Sequence, residues 1–214
     1  MTFEDFIKYI PKIEKMSVPG ASSHIMMTSD NRKKVLETKI ISKRNAREAA
    51  VLILLYPKQN STHIALIRRP IYKGVHSGQI ALPGGKVEAE DASLEETALR
   101  ETREEIGVPE HEIKVIKEMT KVYIPPSNFW VYPFMGMTKE YPVFQKQKEE
   151  VADILEIPVE LLLNDKAIKT QSITNSYVTN LKVPSFDLNG ATVWGATAMM
   201  LNECKVLLKK VIAT

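Results

Sequence analysis

The stretch Gly84 to Val108, GGKVEAEDASLEETALRETREEIGV, constrains this chain more than any other. From Ala92 to Ile106 it predicts one helix: Ser93 and Glu96 stand at the S-x-x-E spacing of a capping box, and Gly107 sits where a helix stops. On a wheel of roughly 100° per residue, Ala98, Leu99, Thr102 and Ile106 make an apolar stripe, with Glu101 and Glu105 about 40° apart at its border. Glu104 lies roughly 60° from Glu101. Carboxylates at i,i+4 repel by about a few tenths of a kcal/mol, so packing Glu101, Glu104 and Glu105 so closely calls for a compensating cation. Arg100 and Arg103 would supply it on a solvated face, which is the ordinary reading of a bare Glu pair. A hard divalent ion is the other reading. Mg²⁺ takes one or two carboxylates, waters and phosphate oxygens, and an anionic helix face beside a glycine turn supplies the protein's share.

The segment RETREEIGV, Arg100 to Val108, resembles the R-E-U-x-E-E-x-G-U half of the Nudix box, where U is aliphatic, and LPGGK, Leu82 to Lys86, is similar to its opening turn. Thr102 stands at one aliphatic position. The intervening loop carries one extra residue, so that Asp91 takes the place of the usual Glu. That longer loop, and ALIRRPIYKGVHSGQIALPGG from Ala65 to Gly85, resemble the coenzyme A diphosphatase branch of the family, with its L-L-T-x-R and G-x-x-x-F-P-G-G signatures. Gly74 stands where that branch has Arg, and Leu82 where it has Phe. VWGATA, Val193 to Ala198, is also similar to the branch, so the resemblance covers most of the chain and is densest from Ala65 to Val108.

The remaining sequence supplies a frame for this stretch. Its 214 residues suit one globular domain with a full core. We divide it into an N-terminal arm and connector (1–45), a core (46–188), and a hairpin return with a C-terminal helix (189–214). Phe3, Phe6, Ile7 and Ile10 fall at helical spacing in residues 3 to 15, with Pro11 expected to limit the helix. Residues 17 to 45 read as a connector, with Met26 and Met27 as packing residues. Ala49 to Tyr56 and His63 to Ile67 are β-rich runs joined by PKQNS, and Ile113 to Tyr123 and Phe129 to Met137 are strands divided by PPSN. Trp130 and Tyr132 share one strand face, as core or as a base-stacking surface. A short helix is expected at Val159 to Leu163. Asn189-Gly190 marks a hairpin between Val183 to Leu188 and Ala191 to Trp194, before a terminal helix from Gly195 to Ile212. The order of elements predicts an α+β fold on a mixed sheet, and the resemblance narrows it to a Nudix-type α/β/α sandwich.

A formal charge of +3 with interspersed acids and bases does not point to nucleic acid. The lone Cys204 cannot form an internal disulfide, no leader opens the chain, and Ala49 to Tyr56 is far short of the ~20 residues of a membrane span. A cytoplasmic location follows, without membrane or nucleic-acid partners, in a chain that can act as a homodimer. The resemblance implies hydrolysis of a diphosphate bond in coenzyme A or an acyl derivative, giving 3′-phosphoadenosine 5′-phosphate and 4′-phosphopantetheine. ADP-ribose, NADH or a nucleotide sugar are alternative substrates, and a silent nucleotide-sensing module is a further one. The implied cofactor is Mg²⁺ or Mn²⁺ on Glu101 and Glu105, with Gly85 in the turn approaching the ion. Glu104 completes the metal site or takes a proton from water, Arg100 holds the carboxylates, and Glu150 assists from a late loop. Arg68, Arg69, Lys73, His76 and Lys86 are the expected substrate-binding residues.

Overall fold

The computed structural model describes residues 1–28, 45–73, 76–174 and 179–213. At its centre is β1, Arg47–Lys58, whose AAVLILLY run is buried on both faces, as a central strand requires. Ala49, Val51, Ile53 and Leu55 point into the larger core, while Ala50, Leu52, Leu54 and Tyr56 point into a second, smaller one. Burying an aliphatic side chain contributes about 1.5–3 kcal/mol, so this one strand ties two cores to a single backbone.

β1 turns at Gln59-Asn60, both at positive φ, into β2, Ser61–Arg68. The two strands pair antiparallel only from Leu55↔Ile64 to Lys58↔Ser61, and then they part. Into the gap come β3, Ile80–Ala81, on the far end of β2, and β4, Gly84–Lys86, on the near half of β1. Leu52 N donates to Pro83 O at 2.9 Å and closes the seam. On its other side β1 runs parallel to β7, Phe129–Met137, which pairs antiparallel with β5, Lys114–Glu118, and β6, Val122–Ile124. β8, Asp153–Pro158, completes this mixed sheet along β2.

On one face of the sheet lies α3, Leu94–Ile106. The other face carries α1, Phe3–Lys15, α2, Ala21–Ile25, α4, Val159–Leu163, and α5, Gly195–Ala213. A second, antiparallel sheet of β9, Ile168–Ile173, β10, Leu181–Leu188, and β11, Ala191–Trp194, lies with them. The expected α+β class with a mixed sheet is the one found, and the Asn189-Gly190 hairpin forms with both residues at positive φ.

Four expectations are corrected. Pro11 does not limit the first helix, which continues to Lys15 because Ile10 and Ile13 on the same face as Phe3 and Phe6 are buried; Ile7 is exposed instead. Residues 113 to 123 are not one strand but β5 and β6, parted where Met119 N bonds Pro133 O and Thr120 N turns to a buried carboxylate. The connector contains α2, and of its two methionines Met27 is buried and Met26 exposed; its residues 29–44 lie outside the described set. The acidic helix starts at Leu94 and not at Ala92, because Ser93 is its N-cap and keeps an extended backbone.

The carboxylate that receives Thr120 belongs to Glu203 on α5, fully buried and bonded also to Gly20 N at 2.8 Å and His24 Nε2 at 3.3 Å. Burial alone would raise its pKa, but the His24 and Thr120 contacts outweigh that and lower it. A lowered folded pKa means that the stability Glu203 contributes is present above its unfolded value and is lost as pH falls through the folded one. Glu203→Gln should therefore lower unfolding free energy at pH 7 by about 1–3 kcal/mol, a deficit that shrinks below about pH 4; urea denaturation at the two pH values measures it.

Candidate active site

Helix α3 is fixed at both ends. Ser93 Oγ accepts from Glu96 N at 3.1 Å, Glu96 reaches back to Ala92 N at 2.7 Å, and Gly107 ends the helix in the left-handed region at φ 77°. Ala98, Thr102 and Ile106 are buried beneath it. Thr102 occupies an otherwise aliphatic position because its hydroxyl donates to Ala98 O at 2.7 Å, so no polar group is left unpaired.

This packing sends Glu105 inward. Its side chain is on a residue only 2% exposed, and Oε2 accepts from Gly84 N at 2.8 Å. Burial pushes its pKa up to about 8, against the Gly84 bond and the nearby Arg69 charge. Glu101, one turn earlier, is also shifted up by burial, in spite of Arg100 beside it. Glu150, from the turn before β8, approaches these two, and one carboxylate oxygen of each of the three lies within 4.8 Å of the others. A Cβ on Gly85 would overlap the Glu101 carboxylate, so the glycine leaves the room this cluster occupies. Three acceptor-only oxygens at this spacing, two of them poorly solvated, fit a hard divalent cation, which removes the cost of holding negative charge there.

Arg100 holds the arrangement from the side. Its Nε and Nη2 grip Asp91 at 2.8 and 2.9 Å, and Asp91 also accepts from Thr97 Oγ1 and Glu88 N. The Arg100 bond chiefly keeps the Asp91 carboxyl well below the usual range. Arg100 also meets Glu104 at 3.1 Å, Glu101 at 3.3 Å and Lys86 O at 3.2 Å. Glu104 is the outlier of the acidic set: it is 44% exposed, shared between Arg100 and Arg103, and stands apart from the three-carboxylate cluster.

The carboxylate cleft, about 450 Å³, is lined by Arg69, Tyr72, Lys86 and Glu149 besides the glutamates. At Arg69, Gly84, Gly85 and Lys86 it joins a larger, mainly apolar cavity of about 580 Å³, which His76 also lines. Arg69 Nε is buried without a hydrogen-bond partner. Arg68 and the exposed Lys73 line neither cleft among the described residues, because Arg68 ends β2 opposite Ile80 and Asp153. Gly74 lies outside the described residues. The Trp130 and Tyr132 rings are half-buried, with Lys121 Nζ 4.8 and 5.2 Å from their centroids. Glu156 is engaged by Tyr56 and Lys58. Tyr72, on the loop that the sequence carries toward the glycine turn, lines the carboxylate cleft, whereas the cavity's far wall was not anticipated from sequence; the alternation of Leu181 and Val183 was the available signal for it.

Residues 46–175 match the NUDIX domain family model, and the chain belongs to the Nudix family, hydrolases of phosphorus-containing acid anhydrides that use divalent metals. The uncharacterized Nudix hydrolase NudL of Yersinia enterocolitica is 33% identical over 159 residues, 74% of this chain and 80% of that protein. Its counterpart from Yersinia pestis is 32% identical over 157 residues, 73% and 77% of the two chains. Among solved structures, the Nudix hydrolase RenU from M. smegmatis superposes with a TM-score of 0.51 at 16% identity, over 78% of this chain and 86% of that one. A MutT/nudix family protein from Enterococcus faecalis gives 0.50 at 15%, over 97% and 74%. No helix among the described residues is long and apolar enough to cross a membrane.

The two glycines separate fold from site. At Gly84, φ is 144° and a Cβ would strike Ala50 O, so Gly84→Ala should destabilise the chain by about 2 kcal/mol or more in urea denaturation. Gly85→Ala meets only the movable end of Glu101, and should leave stability nearly unchanged while weakening Mn²⁺ binding about tenfold by calorimetric titration.

Proposed function

We propose that this chain, acting as one domain over 1–214, hydrolyses the diphosphate bond of coenzyme A or an acyl-coenzyme A with Mg²⁺ or Mn²⁺. The products are 3′-phosphoadenosine 5′-phosphate and a 4′-phosphopantetheine. The observation that carries this reading is the cluster of Glu101, Glu105 and Glu150 opening directly onto Arg69 and Lys86. Glu101 and Glu105 would hold the cation, with the Glu150 carboxylate within reach of both. When bound, the cation neutralises diphosphate charge and makes a water easier to deprotonate.

The remaining work belongs to the chain. A diphosphate repels an incoming oxygen nucleophile, and Arg69 and Lys86, placed where the two clefts join, offset that charge from the protein side. The unpaired Arg69 Nε supplies a donor for a phosphate oxygen. Glu150 takes the water's proton: it is exposed and carries no ion pair among the described residues, whereas Glu104 has both oxygens on arginines. Arg100, locked by Asp91, keeps Glu101 and the Lys86 carbonyl in register. His76 meets the substrate from the apolar side. The cytoplasmic location and the homodimer expected from sequence go with this reading.

Another nucleoside diphosphate derivative, such as ADP-ribose, is the second reading, favoured by Gly74 in place of an arginine. Incubating coenzyme A, ADP-ribose, NADH and diadenosine polyphosphates with each metal, and weighing the products, separates the two; turnover of ADP-ribose but not coenzyme A would reject the first. Glu105→Gln should lower kcat at least ~10²-fold with the fold intact by circular dichroism. Glu150→Gln should lower it by about 10²-fold or more and Glu104→Gln by less than about tenfold; the reverse order would move the proton to Glu104.

A further inference from the structure

The larger cavity has walls that the carboxylate cleft does not explain. One wall is the main sheet, with Ile124 and Phe129; the other is Leu181, Val183 and Trp194 of the second sheet and Met200 of α5. Its charged lining residues, Arg69 and Lys86, and its imidazole, His76, belong to or adjoin the seam with the catalytic cleft. Among the described residues no carboxylate lines it, and its one side-chain amide, Gln79, has Oε1 at 3.2 Å from His76 Nδ1. The remaining polar side-chain groups are the hydroxyls of Thr28, Ser127 and Thr197 and the indole N–H of Trp194.

We propose that this cavity is a subsite for a flexible, uncharged aliphatic arm carried on the non-nucleotide side of the diphosphate, with Leu181, Trp194 and Met200 as its selectivity residues. The proposal rests on the diphosphate-cleaving reading above, since the arm is placed by its attachment to a phosphate held at Arg69 and Lys86. A nucleobase or sugar entering here would lose water from several donors and acceptors and find few partners. An acyl chain has none to lose, and the two amides and one hydroxyl of a pantetheine are spread along a flexible chain that can turn them toward the hydroxyls of Thr28, Ser127 and Thr197. Each methylene it buries strengthens binding roughly fourfold. A volume of about 580 Å³ falls within the range of ordinary small-molecule pockets and leaves room for an acyl chain beyond a pantetheine. The selectivity therefore comes from the second sheet and α5, and the chemistry from α3 and β4.

The chain has two tryptophans, and Trp130 lies under Lys121 outside the cavity, so Trp130→Phe leaves Trp194 as the sole indole reporter. Titrations of this full-length variant with Mg²⁺ present use three probes that contain no diphosphate bond: S-octanoyl-4′-phosphopantetheine, 4′-phosphopantetheine and AMP. The octanoyl probe should shift Trp194 emission to the blue and bind at least about tenfold more tightly than the free thiol, and AMP should leave the emission unchanged. Adding Leu181→Gln, at a half-buried position, should erase about fivefold of the octanoyl advantage and leave the free thiol within about twofold. Equal affinity for the acylated and free thiols, no binding by either, or an emission shift with AMP as large as with the octanoyl probe would overturn the proposal. Melting-temperature shifts of the unsubstituted chain with the same probes give the same ranking without any variant. Because no probe is cleavable, an enzyme that hydrolysed neither coenzyme A nor its acyl derivatives would defeat the functional reading while these titrations still decided the cavity.

Discussion

A carboxylate held in a nearly dry place is the constraint on which the rest of this structure depends. Glu105 sits on the buried side of α3, and its one backbone donor is Gly84 N on β4. Helix and strand must therefore be brought together within a hydrogen-bond length, and a Cβ at Gly84 would strike the backbone of β1. The capped start of α3, the left-handed stop at Gly107 and the bonded hydroxyl of Thr102 all serve to hold the helix at that height.

The charges around Glu105 are sorted by exposure. Asp91 is gripped by Arg100 through two short bonds, a planar bidentate pair whose geometry is worth more than its charge alone. Glu104, half in solvent, shares arginines in contacts that contribute little to stability. Glu101, with Arg100 at 3.3 Å, faces Glu105 and Glu150, and a cation among the three would offset their mutual repulsion.

The parting of β1 and β2 makes the site accessible. Because they pair over only a few residues, β3 and β4 enter the middle of the sheet, and the glycine strand has a carboxylate cleft on one side and an apolar cavity on the other. The cavity's far wall is kept in place by α5. Glu203 bonds the backbone of the N-terminal segment and of the break between β5 and β6, and Lys205 donates to Asn164 O near the start of the second sheet. Buried polar groups with several partners fix one packing of these elements.

The sequence by itself determined what depends on local spacing. The α3 cap and stop, the apolar AAVLILLY run of β1, the Asn189-Gly190 hairpin and the short Val159–Leu163 helix are each written in a few neighbouring residues, and Glu101, Glu104 and Glu105 could be read from one helical wheel. Only the tertiary structure decided which of those glutamates lie beside Glu150, because that depends on how a turn far along the chain folds back; it also set Glu104 aside, by the reach of Arg100 and Arg103. The continuation of α1 through Pro11 followed from the burial of Ile13, a gain that no local propensity contains. The separation of β5 from β6 followed from Glu203, distant in the chain, accepting a backbone N–H that a continuous strand would have kept. The apolar cavity is of the same kind: Leu181, Trp194 and Met200 become one wall only when the second sheet and α5 are packed against the first, since pairing across long chain separations is set by the summed packing and not by any one segment.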